Sequence, residues 1–265
     1  MPASPPATLS VLIPCYNESS TIDRTLDAVL AERERFAASG LALQIVAVDD
    51  ASRDGTYDRL ALRAADGGGL IVIARHEENR GKGAAIQTAR DLATGDVAII
   101  QDADLEYDPA DIGAMVAPIL EGLADAVIGT RFGGGGAHRV LYFWHRLGNL
   151  GLTLLSNMFT NLNLTDMEVG YKAFSMRAFR LMHLTNPRFG IEPEVVARLS
   201  QMGARVYEVP ISYHGRTYAE GKKITWRDGV AAFFHIIRAH YSSRAQPRLV
   251  PERPAAGERT AQPVT

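Results

Sequence analysis

The sequence predicts an α/β fold built on a mostly parallel sheet, with further helices toward the C-terminus, and three observations carry that reading. Short apolar runs alternate with amphipathic helical patterns from Leu9 to about Arg131, the rhythm of successive βαβ units. Val97, Ala98, Ile99 and Ile100 are apolar at every position, as a strand covered on both faces must be. Two of the runs end in acids, Asp49 and Asp50 after one and Asp102 after another, and open α/β sheets bind ligands at the carboxyl ends of their strands.

The first strand is "LSVLIP", beginning at Leu9. Ser19 or Ser20 then caps a helix through "TIDRTLDAVLAERERF", in which Ile22, Leu26, Val29 and Leu30 share one face and Gly40 lies beyond the end. "LQIVAVDD", "LIVIAR", "DVAIIQD" and "ADAVIGTR" supply the following strands. Between them "GTYDRLALRAA", "GKGAAIQTARDLA" and "PADIGAMVAPILEG" read as helices, the last with proline near its first turn. "FGGGGAH", at 132–138, is too glycine-rich for regular structure and predicts a loop. Beyond it the pattern predicts a long apolar helix at 141–160, a short strand in "GYKAFS", a helix in "EPEVVARLSQMG", a strand in "RVYEVPISY" and a last helix at 226–241. Residues 1–8 read as a flexible N-terminus, and the Pro-, Ala- and Arg-rich tail at 242–265 has too little to bury and reads as disordered.

Among 265 residues, 46% are hydrophobic and 22% charged, so a sizeable core can form. A formal net charge of -2 gives no general attraction to nucleic acid, and none is expected as a partner. Cys15 is the sole cysteine, which rules out an internal disulfide and fits a reducing compartment. "MPASPPATLS" lacks the basic start and apolar core of a signal peptide, and no window offers the roughly 18–20 apolar residues of a membrane span. A cytoplasmic protein, soluble or peripheral, is the expectation.

In an extended segment alternate side chains share a face, so Asp102, Asp104 and Glu106 would point together from the end of the fourth strand, with Asp108 close behind. Adjacent carboxylates repel unless a cation joins them, and oxygen-only ligands suit Mg²⁺ or Mn²⁺; a solvated acidic loop is the other reading of this pattern. Asp49 and Asp50, before "ASRDG", could line the same cleft and meet a ribose hydroxyl or a base edge, or could serve a tight turn. Pro14, Tyr16, Asn17 and Glu18 precede a helix start that can receive an anion or simply be capped. Arg80 and Lys82 in "NRGKG" lie between a strand and a helix, with glycines that allow close backbone approach to an anion. Packing of the helix start is the alternative there, and the pattern is not a P-loop. Glu192 and Glu194 read as an exposed helix start that favours the dipole. His138, His145, His183, His214, His235 and His240 show no paired spacing that demands zinc.

"VLIPCYNES", "VDDASRDGT", "NRGKGAAIQTA" and "QDADLEYDP", in that order and spacing, resemble family 2 glycosyltransferases of the GT-A fold. "VIGTRF", "DMEVGYKAFS", "IEPEVVARL" and "YHGRTYAEGKKITWRDG" resemble the polyprenyl-phosphate sugar synthases, the branch similar to dolichyl-phosphate mannosyltransferase. The resemblance covers about residues 9–241 and implies a Rossmann-like open twisted sheet flanked by helices, with a nucleotide-sugar-binding half at 9–131 and an acceptor-binding half at 132–241. It implies an inverting hexosyltransferase that moves a hexose from a GDP- or UDP-linked sugar to a polyprenyl phosphate for glycan assembly. Pro14, Tyr16, Asn17, Glu18, Asp49, Lys82 and Asp102 would then hold the nucleotide sugar. Asp102 and Asp104 would serve the diphosphate and its metal, with Glu106, where many relatives have glutamine, as a third ligand. Arg131 with Arg216, Lys222 and Lys223 could clamp the acceptor phosphate, a solvated surface role being the alternative for each, and Asp104, Arg131 and Asp166 form the expected catalytic set. A glycosyltransferase with a soluble or glycan acceptor and a non-catalytic nucleotide-sugar-binding protein are the alternatives.

A chain without a membrane span needs a surface that can meet a lipid. The helix through "LYFWHRLGNLGLTLLSNMFTNL" is apolar around much of its circumference, with only His145 and Arg146 charged. In the last helix Val230, Phe233, Phe234 and Ile237 share a face flanked by Arg227 and Arg238. Such helices can lie in a bilayer interface on the cytoplasmic face. The same patterns fit packing on the sheet, which would make Tyr142, Phe143 and Trp144 core residues, or a contact in a homo-oligomer.

Overall fold

The computed structural model describes residues 6–133, 140, 142–188, 190–215, 226–241 and 246–250. Its strands are β1 (Ala7–Cys15), β2 (Leu41–Asp49), β3 (Ile71–Arg75), β4 (Val97–Ile100), β5 (Ala126–Thr130), β6 (Lys172–Ser175) and β7 (Val206–Pro210). The helices are α1 (Ile22–Ala31), α2 (Arg33–Ala38), α3 (Thr56–Asp66), α4 (Lys82–Leu92), α5 (Ile112–Leu120), α6 (Phe143–Thr160), α7 (Met176–Leu181), α8 (Ile191–Met202) and α9 (Trp226–Tyr241). One sheet takes all seven strands, in the order β3-β2-β1-β4-β6-β5-β7. The α/β class and the mostly parallel sheet are as the sequence predicts.

The sheet centre explains why those strands read as unbroken apolar runs. Val11, Leu12, Ile13, Ile45, Val46, Val48, Ile99 and Val127 are fully buried, with helices on both faces, and β1 pairs in register with β2 and β4 so that Val11 sits between Ile45 and Ile99. Each such side chain contributes about 1.5–3 kcal/mol by leaving water. The first helical pattern is broken at Glu32 into α1 and α2, and α1 begins after Thr21 rather than at a capping serine; the Thr21 hydroxyl donates to Glu18 Oε2 at 2.9 Å. Ile22, Leu26 and Val29 form its buried stripe as expected. Helix α7 has no counterpart in the sequence prediction; it is short and is capped by Ser175 Oγ, which accepts from Ala178 N.

β6 alone runs against its neighbours, antiparallel to both β4 and β5. Its first residue, Lys172, pairs with Ile128 near the end of β5. The segment leading into it, residues 161–171, therefore lies at the carboxyl ends of the parallel strands. That reversal brings residues of the second half of the chain to the edge where the loops after β1, β2 and β4 also emerge.

Residues 246–250, within the stretch read as a disordered tail, run along the body: Leu249 N donates to Met202 O at 2.9 Å and His183 N to Gln246 Oε1 at 3.0 Å. Leu249 also packs against the core, which the tail's polar composition concealed. Among the described residues no helix is long and apolar enough to cross a membrane.

Candidate functional site

The loops after β1 and β2 are clasped by side chains. Asn17 N donates to Ser52 Oγ, Arg53 N to Asn17 Oδ1, Glu18 N to Thr56 Oγ1 and Ser19 N to Asp54 Oδ2, all within 3.0 Å. Asn17 has φ 55°, a left-handed conformation that asparagine tolerates well. Beside this clasp opens a cavity of about 540 Å³ lined by Tyr16, Ser52, Arg53, Arg75 and Asn79 among others. Behind two of its lining residues lies Asp49, fully buried, whose Oδ2 accepts from Ser52 N and pairs with Arg75 Nε at 3.3 Å, while Oδ1 accepts nothing among the described residues. The Arg75 guanidinium lies 4.7 Å from the Tyr57 ring centroid. Tyr16 is exposed at the mouth, and Pro14 lies in β1, pairing with Val48.

Asp50 has a different task. Its carboxylate accepts from Arg80 N at 2.9 Å, Gly81 N at 2.6 Å and the His76 ring at 2.6 Å, and His76 also contacts Thr88 Oγ1. The amides before α4 therefore already hold an anion, the protein's own Asp50. The glycines of "NRGKG" make room for protein rather than ligand: a Cβ on Gly81 would come within 2.6 Å of Pro187 O, and Gly83 faces Asn186 O just as closely. Of the two expectations for this segment, helix-start packing is the one that the backbone fulfils. His76, buried and central here, was the histidine that sequence reasoning passed over, and its place right after the β3 run was the available signal.

Lys82 departs from that packing role. Its Nζ bonds both oxygens of Asp102, at 2.8 and 3.0 Å, and Glu192 Oε1 at 3.0 Å. Burial alone would lower the pKa of Lys82, but Asp102 and Glu192 raise it well above the usual lysine range, so it is a fixed positive charge at the end of β4. Glu192 and Glu194 are accordingly not an exposed helix start. Glu194 is buried, pairs with Arg198 at 3.0 Å and accepts from Thr185 N and Asn186 N.

The acids after β4 divide. The strand ends at Ile100, and a turn with Leu105 at φ 63° follows, so the extended geometry that would align Asp102, Asp104 and Glu106 is absent. Asp104 Oδ1 accepts from Glu106 N at 3.1 Å, Glu106 Oε2 accepts from Tyr213 OH at 2.8 Å, and Asp108 caps the 3-10 turn at Pro109–Asp111. Among the described residues no group of three or more His, Cys, Asp or Glu converges as a metal cage. The donor set still suits a hard cation, because Asp102 and Asp104 offer carboxylate oxygens and Mg²⁺ is commonly held by one or two carboxylates with substrate phosphates. Glu106 can keep Tyr213 on Oε2 while its other oxygen turns to a cation as a third ligand.

Across the cleft, Arg131 and Asp166 form a bidentate pair, Nε to Oδ2 at 2.6 Å and Nη2 to Oδ1 at 2.7 Å. Asn149 of α6 donates to Asp166 Oδ1 at 3.1 Å, and Glu208 of β7 accepts from the Thr165 and Asp166 amides. Burial would lower the pKa of Arg131, but Asp166 raises it beyond the ordinary arginine value, so the guanidinium stays charged. It also lies 5.1 Å from the Tyr213 ring. Next to this pair, burial and then the nearby Glu192 push the Glu168 carboxyl up to about 7, against the pull of Lys172. Arg216, Lys222 and Lys223 lie outside the described residues.

Residues 10–184 match the family described as Glycosyl transferase family 2, and the chain belongs to that family. It is 31% identical over 216 residues to the undecaprenyl-phosphate mannosyltransferase of Micrococcus luteus, covering 80% of this chain and 85% of that one. It is 24% identical over 243 residues to the UDP-N-acetylglucosamine–dolichyl-phosphate N-acetylglucosaminyltransferase of Methanococcus voltae, covering 86% and 94%. Its fold matches a crystal structure of glucosyl-3-phosphoglycerate synthase from Mycobacterium tuberculosis in complex with Mn²⁺, UDP and glucosyl-3-phosphoglycerate, with a TM-score of 0.64 at 20% identity over 88% of this chain and 78% of that one. The fold is of the GT-A type.

Proposed function

We propose that the protein transfers a hexose, with inversion, from a GDP- or UDP-linked donor to a polyprenyl phosphate. The observation that carries this reading is helix α6, which reaches the cleft through Asn149 on Asp166, packs on the core through Leu152, Leu155 and Phe159, and turns a second apolar face outward. It buries Thr153, Ser156 and Thr160 and exposes Phe143, Trp144, Leu147, Leu150, Leu154 and Met158 by 46–75%. An acceptor that is an anion at one end and hydrocarbon beyond it fits a helix polar toward the site and apolar outside. Two relatives that bear lipid-phosphate acceptors in their names, with different sugars, support the same acceptor class.

In this reading the cavity beside Asp49 takes the nucleoside, with Tyr16 in its wall and Pro14, Asn17 and Glu18 holding the loop that carries Tyr16. Lys82 and Asp102 stand at the diphosphate. Asp102 and Asp104 would hold Mg²⁺ or Mn²⁺, which neutralises charge on the departing nucleoside diphosphate. A phosphate is already an anionic nucleophile, so Arg131, oriented by Asp166, has to position it rather than deprotonate it. The test is transfer by the purified chain: labelled sugar should move from nucleotide sugar into a lipid-extractable product when polyprenyl phosphate is supplied. Transfer to a soluble acceptor alone would favour the other glycosyltransferase reading, and no turnover with any acceptor would favour a binding protein.

Helices α6 and α9 pack together and extend the apolar face through Phe233, Phe234 and Tyr241, whereas the Arg227 and Val230 side chains lie outside the description. Tyr142, Phe143 and Trp144 are 53–75% exposed, so they are not the core residues that packing on the sheet would require. The peripheral, cytoplasmic-face location belongs to this proposal. The chain should float with anionic liposomes, and Phe143→Ser with Trp144→Ser should weaken that partitioning about tenfold or more while circular dichroism stays unchanged. Wild-type protein that remains at the bottom of the gradient would count against direct docking and leave the apolar face to a second copy.

A further inference from the structure

We propose that Glu168 and Glu192 form the subsite that receives the hydroxyl groups of the transferred sugar, with Glu168 selecting among sugars; this rests on the nucleotide-sugar reading above. Two observations carry it. Glu168 Oε1 and Glu192 Oε2 are both buried, yet neither accepts a hydrogen bond among the described residues. Buried acceptors are almost always satisfied, so two orphans whose charges act on one another call for donors that arrive from outside the chain.

Their placement selects the donor. Glu192 holds Lys82 with its other oxygen, and Lys82 holds Asp102 at the diphosphate end of the cleft. The sugar is bonded to that diphosphate, so its hydroxyls are the ligand groups that follow it into this end of the cleft. The acceptor phosphate is ill suited to the spot, because two carboxylates repel it and Lys172, whose Nζ donates to Met167 O and Val169 O, is already engaged. Neutral hydroxyls are the remaining class. With its carboxyl pushed up to about 7, Glu168 can accept from one hydroxyl or donate to another near neutral pH.

The segment that carries Glu168 is also rigid. Lys172 pins its carbonyls from one side, and Gly170 is pressed so near Asp102 that a Cβ there would come within 2.6 Å of Oδ2. Tyr107 OH accepts from Gly170 N at 3.0 Å and the Tyr107 ring stacks on Tyr171 at 5.1 Å. A carboxylate on such a support discriminates between hydroxyl positions, because an analogue lacking the hydroxyl leaves the oxygen buried and unpaired again.

Calorimetric titration of the full chain with Mg²⁺ tests this, using UDP against UDP-glucose and GDP against GDP-mannose, together with single-deoxy analogues of whichever nucleotide sugar binds. Glu168→Ala should weaken the nucleotide sugar about tenfold or more and leave the free nucleoside diphosphate within about twofold, as loss of a hydrogen bond to a charged group predicts. One deoxy analogue should bind wild type weakly and the variant no worse than the parent sugar does. Glu168→Gln, nearly the same shape, is the companion should the alanine variant fold poorly, with a smaller loss in the same direction. Folded variants that bind the nucleotide sugar as tightly as wild type would overturn the subsite. Wild type that binds neither UDP nor GDP would instead bring down the nucleotide-sugar reading, and the subsite with it.

Discussion

Arg131→Ala is expected to lower the stability of the protein by about 3–5 kcal/mol and to abolish transfer, because it strands a buried carboxylate. Asp166 is fully buried and both its oxygens are met by Arg131, so removing the guanidinium leaves a buried charge without its directly bonded cation. Asn149 and the Arg131 amide would remain as donors, too few to replace a bidentate ion pair. Arg131→Lys should recover part of the stability and little of the activity, since an ammonium keeps the charge but loses the fork. Asp166→Asn with Arg131→Met should be more stable than Arg131→Ala alone while staying inactive, as neither charge is then left alone. Urea denaturation of the three variants beside the transfer assay checks this, and an Arg131→Ala midpoint equal to that of wild type would sink it.

The sheet was legible because two-sided burial writes an unbroken apolar run, and β1 to β5 all carry one. Two features escaped for physical reasons. A four-residue strand such as β6 has the same composition whichever way it runs, so its reversal cannot be seen in "KAFS", although it is what carries Asp166, Glu168 and Gly170 to the site. The acidic run after β4 looked like one motif because spacing assumes a backbone conformation; the left-handed Leu105 breaks the alternation, and Asp108 turns out to be a cap.

The site showed the same split. The acids at strand ends were visible as candidates, whereas their partners came from far along the chain. Lys82 meets Glu192 across 110 residues, and Glu106 meets Tyr213 across 107. No local pattern encodes such meetings. The helix start at Glu192 and Glu194 illustrates the error this produces: two acids in a first turn suggest a solvated dipole partner, and only the arrival of Lys82, Thr185 and Arg198 makes them interior. Likewise Phe143 and Trp144 read as core by hydrophobicity, while α6 packs inward through Leu152, Leu155 and Phe159 beside the buried hydroxyls of Thr153, Ser156 and Thr160.

Asp104→Asn should cut transfer by roughly a thousandfold or more, a barrier increase of about 4 kcal/mol, without unfolding the protein. Within its loop Asp104 Oδ1 accepts a hydrogen bond from Glu106 N, and the asparagine carbonyl can accept the same bond. The turn with Leu105 at φ 63° should therefore survive, and so should the melting temperature. What is lost is one negative charge facing a hard cation and, through it, the neutralisation of the departing diphosphate. Glu106→Gln is the internal contrast. Its carbonyl can still accept from Tyr213 OH, so the loop is kept, and with Asp102 and Asp104 left to hold the cation most of the activity should remain. The measurement is kcat for each variant with Mg²⁺ and Mn²⁺ in turn, alongside circular dichroism. Equal losses in the two variants would return Glu106 to the metal, and undiminished turnover of Asp104→Asn in excess chelator would remove the metal from the mechanism altogether.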